Sequence, residues 1–132
     1  MQDFFHTNEE KFLHLTDLLA KACEGLVYRS EMNADVVPFS MSADQFSKLV
    51  RAKITEEVSY PDFFARFVVA KEWWGDHEKE TASKFAELKN VLEKNLGGLR
   101  VLKVGRVQID IYVVGTDGSG QIIGVETKAV ET

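Results

Sequence analysis

Two carboxylates on one face of a hairpin are the residues of this sequence best placed to do chemistry. In Val107-Gln108-Ile109-Asp110-Ile111-Tyr112-Val113-Val114 the odd positions are all β-branched aliphatics, the period-two signature of a strand burying one face. The even face is half polar. Thr116-Asp117-Gly118-Ser119-Gly120 reads as a turn whose glycines supply the positive φ of tight hairpin loops, and Gln121 to Glu131 as the returning strand. Pairing symmetric about Gly118 sets Asp110 opposite Glu126 and Gln108 opposite Lys128. A carboxylate pair can bind a divalent metal or do acid–base work. Like charges directly opposite each other also repel, so the competing expectation is a solvated sheet end relieved by Lys128 or Arg106, and a one-residue change in register would also separate the pair.

Other chemistry is missing. His6, His14 and His77 have no ligand spacing between them, and His14 reads as a packed or surface residue of a helix. Cys23 is the only cysteine; it carries no sign of activation and reads as a buried structural thiol. Gly115 to Gly120 is glycine-rich but joins two strands and lacks the lysine and serine of a phosphate loop. The expectation is a protein that is not an enzyme, with no catalytic residue, metal site or cofactor of its own.

The remaining elements must frame that hairpin. Thr7 with Glu10 has capping-box spacing, so a first helix starts at Thr7 or Asn8, and Phe12, Leu15, Leu18, Leu19 and Ala22 form its apolar stripe. Gly25 stands where a left-handed cap belongs, ending the helix near Cys23 or Glu24. Leu26-Val27-Tyr28 reads as a short buried strand and Ser30 to Asp35 as an exposed polar loop. Val36-Val37-Pro38-Phe39 fits an edge strand, where the missing amide hydrogen of Pro38 costs least. Ser42 with Gln45 caps a short helix carrying Phe46, Leu49, Val50 and Lys53, and Pro61 opens another in which Phe63, Phe64 and Phe67 pack the core. Trp73 and Trp74 precede a helix start at Asp76. Ala82, Phe85, Leu88, Leu92 and Leu96 then make a clear stripe ended by Gly97-Gly98, after which Gly105-Arg106 is either a bulge or a turn.

At 132 residues the chain fits one domain, 1–132, with one core. Hydrophobic content of 45% with 28% charged residues is ordinary for a globular protein, and no apolar run approaches the ~18 residues of a membrane span. The N-terminus lacks the basic and apolar regions of a secretory signal, and a lone cysteine suits a reducing interior, so a cytoplasmic location is expected. A formal charge of -5 argues against a sequence-independent grip on nucleic acid, whose affinity comes from Lys and Arg releasing counterions. A basic protein partner, one that itself holds phosphates, fits better, and opposite fields speed such encounters.

Several segments together resemble the nuclease A inhibitor family, small proteins that inhibit sugar-non-specific DNA/RNA endonucleases with a ββα-metal active site. They are Asp62-Phe63-Phe64-Ala65-Arg66, Glu72-Trp73-Trp74 before an acidic helix start, Lys84-Phe85, Lys94-Asn95-Leu96, Val107 to Gly115, and the ending Thr127-Lys128-Ala129-Val130-Glu131-Thr132. The likeness extends over about Asp62 to Thr132 and reappears from Glu24-Gly25-Leu26 to Ser30-Glu31.

The resemblance implies an α+β fold, a three-layer α/β/α sandwich with a mostly antiparallel sheet ending in a C-terminal β-hairpin. It implies that the carboxyl end enters the nuclease cleft. There the residue matching Thr132 approaches the enzyme's Mg²⁺ through water, and the loop glutamate matching Glu31 pairs with an active-site arginine. Trp73 matches the interface tryptophan, and Lys71 stands at a neighbouring contact position, a departure that adds a positive charge. The α-carboxylate of Thr132 is expected to be anionic and carried on the end of an ordered sheet. Substrate-charge mimicry of this kind implies a monomer acting in a 1:1 complex with the endonuclease, without direct contact to nucleic acid or membrane. Two other readings stay open: a protein- or ligand-binding module of the same fold with a different partner, and an enzyme using Asp110 and Glu126.

Overall fold

A computed structural model describes residues 8–29, 32–53, 55–68 and 75–131. In chain order the elements are α1 (Asn8–Cys23), β1 (Val27–Arg29), β2 (Asn33–Asp35), β3 (Val37–Ser42), α2 (Ala43–Arg51), β4 (Thr55–Val58), α3 (Tyr60–Val68), α4 (Asp76–Asn95), β5 (Gly97–Gly105), β6 (Gln108–Thr116) and β7 (Gln121–Val130).

The expected hairpin is β6 and β7, and it lies at the middle of a five-stranded sheet of order β3-β7-β6-β5-β4. Every neighbouring pair in that sheet is antiparallel. Gly118 and Gly120 take φ of 91° and 86°, the left-handed region that a side chain would resist, and Ser119 N–H donates to Asp117 Oδ1 at 2.9 Å within the turn.

Strand alternation divides the sheet between two cores. Ile109, Ile111 and Val113, with Val101, Ile123 and Val125, pack under Leu15 and Leu19 of α1, Phe63 and Phe64 of α3, and Phe85, Leu88 and Leu92 of α4. The opposite face, Leu102, Val104, Tyr112 and Val114, is covered by Phe46 of α2. The result is the α/β/α sandwich, with α1, α3 and α4 on one side and α2 on the other. Leu88 and Leu92 are 1% and 0% exposed, so each contributes about 1.5–3 kcal/mol of burial.

Local chemistry explains the ends. Ser42 caps α2, its hydroxyl accepting from Gln45 N–H at 3.2 Å. Gly25, at φ 68°, follows α1. Asp76 and Glu78 lie in the first turn of α4 and Lys94 in its last, matched to the helix dipole. Thr7 and the side chains of Phe12 and Phe67 lie outside the described residues.

Three features differ from expectation or decide it. Asn33–Asp35, expected to be loop, is strand β2, paired with β1. Thr55–Val58 forms an edge strand with no apolar alternation to announce it, its Glu57 held by Arg100 of β5 at 2.7 Å. Gly105 closes β5, paired with Ile109 of β6, and Arg106 and Val107 connect the two strands, so the chain turns there and the irregularity of this pair lies instead between Gly97 and Arg100. Pro38 lies on β3, an outermost strand. Among the described residues no helix is long and apolar enough to cross a membrane.

Candidate functional site

The short strands β1 and β2 form a ribbon of their own, in which Arg29 pairs with Asn33 and residues 30–32 are the connection. Contacts on both sides fasten this ribbon to the body of the protein. Thr127 on β7, the buried polar residue among those described, donates its hydroxyl to the Asp35 carbonyl at 3.0 Å. On the other side Tyr28 stacks on Phe63 of α3, ring centroids 6.0 Å apart. The connection is thus carried on a frame fixed both to the C-terminal strand and to a helix.

The ladder of β6 and β7 extends one residue past the strand's end: Glu131 N–H donates to the Val107 carbonyl at 3.0 Å. Lys103 of β5 places its ammonium 3.0 Å from Glu131 Oε2. A cavity of about 360 Å³ opens beside this end, and Met32, Asp110, Lys128 and Val130 are among its lining residues. Met32 follows Glu31 in the chain, and Val130 precedes Thr132 by two positions. A second cavity of about 180 Å³ is lined by Arg29 of β1, Arg66 of α3, and Glu78 and Phe85 of α4. Its walls include both helices from which the 69–74 segment departs. The ribbon's β1 thus borders the smaller cavity, and Met32 of its connection borders the larger.

Glu31, Lys71, Trp73 and Thr132 lie outside the described residues, as does Trp74. What the structure provides is their attachment points, Arg29 and Met32, Val68 and Gly75, and Glu131.

The carboxylate pair is corrected. β6 and β7 pair with Asp110 opposite Lys128 and Tyr112 opposite Glu126, a register centred on Ser119. Sliding β7 by two residues keeps every side chain on its own face, so hydrophobic alternation cannot distinguish the two pairings. The observed one replaces a repulsion with an ion pair, Lys128 Nζ to Asp110 Oδ1 at 2.8 Å. Glu126 is left half-buried, and burial first, then Asp110, pushes its carboxyl above the ordinary range while Lys128 opposes the shift. The same burial, reinforced by Asp110 and Glu126, raises Tyr112 to about 12. No three His, Cys, Asp or Glu side chains gather closely enough to hold a metal ion among the described residues. Burial pushes the Cys23 thiol up to about 12, which leaves it protonated and inert at neutral pH.

Two residues escape a reading by pattern. Thr127 and Lys103 both occupy positions on a face otherwise given to aliphatics, Thr127 opposite Ile111 and Lys103 opposite Ile111 from the other side. A polar residue interrupting an apolar face is the available signal, but its partner could not be named without the fold.

Chemically, the described residues of this cluster offer anchored segments and internally paired charges. No curated relative matches the sequence. The family model for nuclease A inhibitor-like protein matches residues 13–132, a span that takes in the ribbon, both cavities and the C-terminal hairpin, and the chain therefore belongs to that family.

Proposed function

We propose that this protein inhibits a Mg²⁺-dependent, sugar-non-specific endonuclease of the ββα-metal type by filling its active site with the carboxylate of Thr132 and the side chain of Glu31. Family membership supports a nuclease inhibitor without catalytic activity of its own. The observation that carries the docking mode is the shared cavity. Met32, beside Glu31, and Val130, two residues before Thr132, line one opening, so the attachment points of the two acids belong to one surface.

A nuclease cleft is shaped for a phosphodiester held by Mg²⁺ and arginines. Two carboxylates on a rigid frame can occupy those anion positions without presenting a scissile bond. Trp73 supplies the apolar anchor beside them, and Lys71 contacts the rim of the cleft. The inhibitor acts as a single-domain monomer in a 1:1 complex and protects the interior of the cell, the cytoplasm, from the enzyme.

Titration of the protein into an assay of such a nuclease tests this directly. Activity should fall linearly to near zero at one equivalent. Undiminished activity at a large excess of folded protein overturns the proposal, and recovery of a different binding partner from host lysate would then assign the same face to another protein.

A further inference from the structure

We propose that Lys103 is a positioning residue for the inhibitory end of the chain, acting through Glu131; this rests on the inhibitor reading above. Lys103 lies on β5, with β6 between it and β7. Its direct cross-strand neighbour on β4 is Glu56, yet its ammonium reaches instead to Glu131, 3.0 Å from Oε2 and 3.4 Å from Oε1. The Lys103 side chain is only 15% exposed, so the cation is ordered by its surroundings rather than waving in solvent.

Glu131 is consequently held twice: its backbone by Val107 at 3.0 Å and its carboxylate by Lys103. Consecutive Cα atoms are about 3.8 Å apart, so Thr132 begins one peptide unit from a fixed point. A group ordered before docking loses less freedom on binding. Lys103 also offsets the charge of Glu131, so changing either partner alters the net charge of that strand end. The two effects have opposite signatures when each partner is changed, which makes them separable.

The probe is a Mg²⁺-dependent, sugar-non-specific endonuclease that the wild-type chain inhibits, with association and dissociation rates measured separately. Lys103→Met and Glu131→Gln should each dissociate roughly three- to tenfold faster, since both release the end of β7. Their association rates should move in opposite directions, because Lys103→Met makes the tip more anionic and Glu131→Gln makes it less so. The double variant, with the wild-type net charge, should recover the wild-type association rate and keep the fast dissociation. Lys103→Arg should restore slow dissociation. In the free protein, the ¹⁵N heteronuclear NOE of Thr132 should drop in both single variants.

An ion pair serving only the fold would lower the melting temperature and leave dissociation and the NOE unchanged, and that result overturns the proposal. Should Lys103→Met fail to fold, Glu131→Gln, whose side chain is 41% exposed, carries the same test. A wild-type chain that inhibits no such nuclease sinks the reading of function instead, and the Thr132 NOE then decides by itself whether Lys103 orders the chain end.

Discussion

Glu126 is a carboxyl that the fold holds against ionisation. It faces Tyr112 across the hairpin, with Val37 of β3 on its other side, and burial raises its carboxyl pKa. The sign follows from linkage: a carboxyl raised in the fold favours the folded state fully below its unfolded pKa, about 4.3, and that contribution is lost as pH climbs through the folded value. At neutral pH the ionised group is therefore a cost. Glu126→Gln should raise stability to urea at pH 7, and the advantage should shrink steadily as the measurement is repeated down to pH 4. An equal gain at both pH values would mean that charge burial is not the cause. The proposed contact residues act differently, on binding alone. Glu31→Ala should weaken inhibition by about 2–5 kcal/mol, the loss typical of breaking one member of a buried charge pair, with the circular dichroism spectrum and melting temperature unchanged. Trp73→Ala should cost about 2 kcal/mol or more if that indole is a central anchor. Inhibition constants unmoved by either substitution would remove the docking mode.

At the scale of the elements, the hairpin and α2 show what the chain discloses in advance. Ser42 three residues before Gln45 marks the start of α2, and the hydroxyl does cap it; Ser42→Ala should cost about 1 kcal/mol in chemical denaturation. Gly124 shows the opposite case. Nothing in Ile122-Ile123-Gly124-Val125 announces a special glycine, yet a methyl group there would overlap the Val113 carbonyl and sit 2.8 Å from the Val114 Cα of β6. Backbone cannot give way as a flexible side chain can, so Gly124→Ala should destabilise by about 1–3 kcal/mol or more, read from the same denaturation curves. The difference between the two residues is the difference between local and non-local causes. Helix caps, apolar stripes and alternating strands act within a few residues, and α1, α2, α4, β6 and β7 were all legible from them. The Asp110–Lys128 pairing, the strand β2 and the edge strand β4 depend on partners far away in sequence. Alternation is blind to a two-residue slide, and Asn33-Ala34-Asp35 is strand only because Val27-Tyr28-Arg29 lies beside it. For the site, the positions Glu31, Lys71, Trp73 and Thr132 rest on family likeness alone and lie outside the described residues, while the contacts of Thr127 with Asp35 and of Lys103 with Glu131 required the fold.

For the whole molecule the decisive quantity is charge and where it is cancelled. The chain carries a formal -5, and two of the basic residues near the end of β7 are paired within the molecule, Lys128 with Asp110 and Lys103 with Glu131. Pairing inside the molecule thus leaves the excess negative charge to act at long range. A nuclease cleft lined with arginines and Mg²⁺ should then attract this protein before any contact forms, and such steering is screened within about 8 Å at physiological ionic strength. Association measured by stopped flow should fall by roughly tenfold or more between 50 and 500 mM NaCl, whereas dissociation, set by buried contacts, should change far less. An association rate indifferent to salt would show that encounter is governed by apolar surface alone, such as the exposed Met32 and Val107, and would contradict charge mimicry even if inhibition itself were strong. The measurement therefore separates two ways of blocking one cleft, by resembling the charge of its substrate or by covering its mouth.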